Sequence, residues 1–335
     1  MRQPGFWSRR PNAPGLAARL LAPLALLGAY TTAQRVRRQP DYVAKVPVIS
    51  VGNLNVGGTG KTPTVAALVS ELRRRGTEAH VIIRGYGGQL KGPLRVDTAR
   101  HTVDDVGDEA LLHAIYAPTW VAANRASGAE AAEAAGAQVL VLDDAHQNPS
   151  VAKSFSIVVV DAERGFGNGR VMPSGPLREP VGAGLARADL CLSIGGEGAQ
   201  TRFKVDWGQT LSCPHMTGEL RPVNTGMPWH GLPVLAFAGI AHPEKFFATL
   251  RGLGADLRGA VALGDHQPLG PSLLARLEAQ ARAAGAQLVT TEKDAVRLPV
   301  KKRGSFLTVP VRLTFSDPDA IDRTLAALRP PQAGP

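Results

Sequence analysis

The chain has 335 residues, 44% of them hydrophobic, which is enough for one large α/β domain or two smaller ones and too apolar for a disordered chain. Its 38 Lys and Arg outnumber 28 Asp and Glu, and the net charge of +10 suits an anionic partner: nucleic acid, a phosphorylated ligand or an anionic membrane surface. The two cysteines, Cys191 and Cys213, have neither metal-ligand spacing nor the density of a disulfide framework, and they read as structural thiols of a reducing compartment.

The first predicted element is "LLAPLALLGAYTTA", Leu20 to Ala33, with Arg19 before it and Arg35, Arg37 and Arg38 after it. A spanning helix needs about 20 apolar residues, and this run is shorter and contains Pro23. A signal peptide has the same grammar, but a strand and a candidate phosphate loop begin within a few residues, which weighs against export. A buried core helix and a helix lying in a membrane interface remain. The second is adopted, with Leu20, Leu21, Leu24 and Leu27 toward the acyl chains and the arginines at the headgroups.

From Pro47 the chain alternates short β-branched runs with helical stretches. "VPVISVGN" reads as a buried strand, Thr62 to Arg75 as a helix closed by Gly76, and "AHVIIRG" as the next strand. "DEALLHAIY" is helical, "TWVAAN" extended and "ASGAEAAEAAG" helical; "AQVLVLDD", "FSIVVVDAE" and "ADLCLSIGG" are further strands. Such alternation implies a parallel sheet covered on both faces. Polar residues and turns from about Gln200 to Trp229 suit a β-ribbon or connector, after which the alternation resumes as a smaller α/β lobe. The expected organisation is 1–40, a membrane-associated helix; 41–199, a nucleotide-binding core; 200–230, a ribbon or hinge; and 231–330, a smaller lobe.

The stretch "VISVGNLNVGGTGKTP" lies between a buried strand and a helix, the context a phosphate-binding loop requires. Gly57, Gly58 and Gly60 let backbone N–H groups approach phosphate, with Asn55, Val56 and Thr59 completing the loop. Lys61 would neutralise phosphate oxygens and the Thr62 hydroxyl would ligate Mg²⁺. Pro63 falls in the first helical turn, where proline costs little. Asn55 replaces the usual first glycine, and asparagine tolerates a left-handed backbone. The loop and the sheet together predict an α/β, P-loop NTPase-like fold. Asp143 and Asp144 end a hydrophobic strand, the expected place for acids near a nucleotide-bound metal. Asp108, where a helix begins, and His266, in "LGDHQP", are the two candidates for accepting a hydroxyl proton.

Taken with "RGYGG", "VGDEALL", "VVVDAERGFGNGRVMPSGPLREP", "FAGIAHPEKFF", "DHQ" and "LVTTEKDAVRL", these residues resemble the tetraacyldisaccharide 4'-kinases from the N-terminal helix to about Leu298. The resemblance implies a cytoplasmic-face, peripheral enzyme of the bacterial inner membrane. Such an enzyme uses ATP and Mg²⁺ to phosphorylate the 4'-hydroxyl of a tetraacylated glucosamine disaccharide 1-phosphate, giving lipid IVA for lipopolysaccharide. It implies Lys61 and Thr62 at the nucleotide, Asp108 acting with His266 on the sugar hydroxyl, and Asp143 and Asp144 near the metal. Gln147 is matched to the nucleotide site, and Arg125 and Glu179 to the catalytic set. No nucleic acid and no obligate protein partner is expected. The rival class is a phosphate-loop switch acting through a partner, which would not need Asp108 with His266. Two departures stand out: Ala145 where the family commonly has glycine, expected to strain a turn if that position is left-handed, and Asn148 where it has histidine. His146 is a candidate to compensate.

Overall fold

The run "VISVG" forms strand β1 (Val48–Gly52) with all five residues buried, Ser50 included, as a parallel strand covered on both faces requires. In the computed structural model, which describes residues 4–264 and 267–332, two helices precede it, α1 (Leu16–Leu20) and α2 (Ala22–Val36). Then follow α3 (Lys61–Arg74), β2 (Ala79–Ile83), β3 (Leu94–Arg95), α4 (Val103–Val106), α5 (Asp108–Ala114), β4 (Thr119–Val121), α6 (Arg125–Ala134), β5 (Val139–Asp143) and β6 (Phe155–Asp161). The next elements are α7 (Val181–Leu185), β7 (Leu190–Ile194), α8 (Glu197–Trp207), β8 (His215–Pro222), β9 (Pro233–Ala238), α9 (Pro243–Gly252) and β10 (Asp256–Ala262). The chain closes with α10 (Pro271–Ala283), β11 (Gln287–Thr291), α11 (Glu292–Ala295), β12 (Leu307–Val309), β13 (Val311–Phe315) and α12 (Pro318–Ala327).

The large sheet runs β13-β8-β7-β6-β1-β5-β2-β4-β3. From β8 to β4 its pairings are parallel, and β3 joins β4 antiparallel. Strand β1 lies between β5 and β6, with Val51 partnered by Asp143, so the acid ending β5 stands beside the strand end from which the glycine loop departs. Helix α3 covers one face with Val65, Leu68, Val69 and Leu72 against Ile49, Val51, Val141 and Leu192, each such side chain worth about 1.5–3 kcal/mol on burial. Phe166, Leu185, Phe203 and Trp207 cover Val158 and Val160 on another core cluster.

Among the described residues one compact unit takes 4–220 and 313–332, and the other takes 221–312. The smaller unit has its own parallel sheet, β10-β9-β11-β12. Two expectations are corrected here. Residues 200–230 do not begin as a ribbon: Ala199, Phe203 and Trp207 are buried one helical turn apart on α8, whose other positions are mostly polar and face solvent. The chain then enters the large sheet as β8, beside β7. The segment 313–327, expected in the smaller lobe, returns instead to the large unit, where Leu313, Ile321 and Leu325 join the core over α3.

At the N-terminus, α2 buries only Ala25 and Thr32, which excludes the core-helix reading. Leu20 (71% exposed), Leu24 and Leu27 face outward. No helix among the described residues is long and apolar enough to cross a membrane. The segment is nonetheless anchored: Ser174 Oγ donates to Ala18 O at 2.5 Å, Trp7 Nε1 to Pro173 O at 3.1 Å and Asn168 Nδ2 to Phe6 O at 3.1 Å.

Candidate active site

The glycine loop is shaped by Gly57 (φ 102°) and Gly60 (φ 98°), both left-handed; a Cβ on Gly60 would also lie 2.6 Å from Ile194 Cδ1. Buried Asn53 braces the turn from inside, its Nδ2 donating to Gly57 O at 3.2 Å and to Thr59 Oγ1 at 3.1 Å. Helix α3 begins at Lys61, and its first turn closes with Thr64 N donating to Gly60 O at 3.1 Å. The N–H groups of Lys61 and Thr62 therefore have no partner within the helix, and Pro63 has none to lose. Asn55 does not adopt the left-handed backbone expected of it. It pairs in a bridge with Leu177, and its Nδ2 donates to Gly165 O at 3.2 Å. Val56 N donates to Pro176 O at 2.8 Å, so these two residues tie the loop to the 165–177 segment.

Two charged networks meet the loop. Lys61 Nζ stands 3.7 Å from Asp144 Oδ1, and Arg178 grips the same carboxylate at 2.8 and 3.1 Å. Asp143 is 1% exposed and accepts at Oδ2 from His113 Nε2 at 2.9 Å, while its Oδ1 is buried without a hydrogen-bond partner. Burial is the strongest influence on Asp143 and opposes its charge, but the His113 hydrogen bond and charge, with Lys61, outweigh it and hold the pKa below the usual value. Arg125 opens α6, buried, and its Nη2 donates to the carbonyls of both Asp143 and Asp144 at 3.0 Å. Desolvation lowers its pKa despite those two acids.

Asp108 is the first residue of α5 and is 4% exposed; its Oδ1 accepts from Glu109 N at 2.9 Å. His266 lies outside the described residues. Gln147 Nε2 donates to Asn53 O and to Glu179 Oε1, each at 2.9 Å, and Arg187 Nη2 donates to both Glu179 oxygens at 2.8 Å. His146 does not compensate for Asn148: its Nε2 meets Gly184 O at 2.9 Å, and burial pushes its pKa down to about 4, so it stays neutral. Asn148 Oδ1 accepts from Ser150 N and Oγ, a local turn contact. Ala145 is not strained, because the left-handed residue is Asp144 (φ 49°), one position earlier. Sequence reasoning missed Asn53, His113 and Arg178. Asn53 alone had a local signal, a polar residue directly after a fully buried strand.

This loop, with a lysine paired to an acidic strand end on a mostly parallel sheet, defines the class: an α/β phosphate-loop protein built to hold a nucleotide phosphate. Comparison with known proteins then gives the family. Residues 17–329 match the family described as tetraacyldisaccharide-1-P 4'-kinase, and the chain belongs to it. It is 58% identical to the tetraacyldisaccharide 4'-kinase of Dinoroseobacter shibae over 98% of both chains. It is 56% identical to that of Jannaschia sp., over 97% of this chain and 99% of the relative. LpxK from Aquifex aeolicus, solved in complex with ATP, is 21% identical and superposes with a TM-score of 0.72 over 93% of this chain and 99% of its own, a likeness of fold.

Proposed function

We infer that the chain transfers the γ-phosphate of ATP to the 4'-hydroxyl of a tetraacylated glucosamine disaccharide 1-phosphate, a step of lipid A synthesis; the tetraacyldisaccharide 4'-kinase names of its family and relatives support this. The observation that carries the reading is Lys61, at the start of α3 beside Asp144, next to a loop in which Gly57 and Gly60 take left-handed backbone. ATP bound to the Aquifex protein of the same fold supports ATP as the donor. The positive end of α3 and Lys61 oppose the charge that grows on the transferred phosphoryl.

The residues also suit a divalent cation. Asp143 Oδ1 is a buried acceptor with no protein partner, and Thr62 lies in the first turn of α3. No described group of three or more His, Cys, Asp or Glu would hold a metal without help, so Mg²⁺ here would depend on nucleotide oxygens and water, its usual preference. When bound, it supplies charge neutralisation at the phosphates. Asp108, with His266, takes the proton from the acceptor hydroxyl. Arg125, Gln147 and Glu179 position: the first holds the backbone of the acid pair, the other two brace Asn53 at the root of the loop. A mostly apolar cleft lined by Ala29, Tyr30, Ala33, Val36, Pro180 and Ala183, with Arg37, Glu179 and Arg187 also in its wall, suits an acyl chain of the acceptor. The outward leucines of α1 and α2 support attachment to a membrane surface, which in this reading is the cytoplasmic face of the inner membrane.

The test is transfer of labelled phosphate from ATP to the disaccharide lipid. Asp108→Ala is expected to lower kcat by about 10²–10⁴-fold while ATP affinity is nearly unchanged. Hydrolysis of ATP with no labelled lipid, or equal losses in turnover and affinity, would overturn the reading.

A further inference from the structure

His113 and Asp143 are each 1% exposed and meet at 2.9 Å. Stability alone does not call for such a pair, since a buried polar pair can often be exchanged for apolar side chains at no loss. Asp143 Oδ1 and His113 Nδ1 are moreover buried without hydrogen-bond partners, although a bare buried acceptor costs about 1–3 kcal/mol. A carboxylate held by one oxygen, with the other left bare beside a phosphate loop, is arranged for something that arrives with the ligand. The pair also joins two parts of the site. Asp143 ends β5 next to Val51 of β1, and His113 lies on α5, the helix that Asp108 opens.

We propose that His113 is a positioning residue: its Nε2–H fixes the Asp143 carboxylate through Oδ2 so that Oδ1 stays available to the divalent cation accompanying the nucleotide. This rests on the reading of Asp143 as part of the nucleotide–cation site. Without the donor, Asp143 is free to rotate its carboxylate toward Lys61, whose charge already acts on it, and the cation loses an oriented ligand. Groups that orient a metal ligand in this way are typically worth about 10–100-fold in metal affinity.

The test is Mg²⁺ titration of the ATP-bound protein by calorimetry, together with the Mg²⁺ concentration giving half-maximal turnover. His113→Leu, close in size and apolar, is expected to weaken Mg²⁺ binding by about 10–100-fold while Mg²⁺-free ATP affinity is retained. His113→Gln, whose amide reaches about as far as Nε2, is expected to restore Mg²⁺ affinity close to the parent; His113→Asn, too short to reach, is not. Parent-like Mg²⁺ affinity in His113→Leu would overturn the proposal. If that variant does not fold, equal Mg²⁺ affinities for the Gln and Asn variants would do the same. Asp143→Asn separates the two levels. If it leaves Mg²⁺ affinity unchanged, the assignment of Asp143 itself fails; if it weakens Mg²⁺ binding and the His113 variants do not, only the role of His113 fails.

Discussion

Asp144 turns the chain out of β5 with a left-handed backbone (φ 49°), a conformation aspartate bears better than most residues. Burial opposes its charge most strongly, yet Lys61 and Arg178 outweigh burial and hold its pKa below the usual carboxylate value. The turn therefore spends its strained position on a residue whose side chain is gripped from two sides. Ala145 follows with its methyl fully buried among Ile82, Leu140, Leu142 and Val151. Ala145→Gly is accordingly expected to destabilise the fold by about 1–2 kcal/mol, from the lost methyl and the added freedom of the unfolded chain. Denaturant unfolding checks this, and a gain in stability would mean that the alanine is strained after all. The departure at this position was legible in the sequence; its consequence was not, because which residue of a turn takes positive φ depends on the register of the strand before it.

Among the elements, α3 was read almost to the residue, as Thr62 to Arg75 against Lys61–Arg74, since its buried positions recur at helical spacing and its start is marked by Gly60 and Pro63. Helix α8 was not, because only Ala199, Phe203 and Trp207 are buried along it and most of the intervening residues are polar. The N-terminal helices are legible in composition and decided by packing: small Ala18 and Ala25 go inward while Leu20, Leu24 and Leu27 stay out. Replacing these three leucines by glutamate is expected to reduce co-sedimentation with anionic lipid vesicles strongly while the thermal midpoint changes little, because the side chains already face solvent. Unchanged sedimentation would show that this face is not the membrane contact. Substitution is a cleaner probe than deleting residues 1 to 34, since Phe6, Trp7 and Ala18 hold the 168–174 loop in place.

For the whole molecule, buried groups that resist protonation set the acid limit. The His146 pKa falls from 6.5 to about 4 on folding, chiefly by desolvation. Above 6.5 both states carry neutral imidazole and the residue adds no pH dependence. Between 6.5 and about 4 the unfolded chain binds a proton that the folded chain refuses, so stability is lost as pH falls. Asp143 and Asp144, with lowered pKa values, add stability above the usual carboxylate range that is lost at still lower pH. The free energy of unfolding is expected to drop by about 3 kcal/mol from His146 alone across its window. His146→Gln, which keeps a donor for Gly184 O, should flatten that limb in denaturant titrations from neutral to acid pH, and an unaltered slope would count against the assignment.

The sequence by itself determined what rests on local rules: a glycine loop between a buried strand and a proline-started helix, alternating elements that require a parallel sheet, and acids at a strand end. Those features follow from backbone freedom and periodicity over a few residues. Tertiary structure alone decided which groups face one another. His113 meets Asp143 across 30 positions, Gln147 meets Glu179 across 32 and Arg178 meets Asp144 across 34. It also decided that the chain returns at Leu313 to finish the core over α3. Pairings of this kind depend on strand order and register, which bring distant residues into contact only once the sheet has closed around its core.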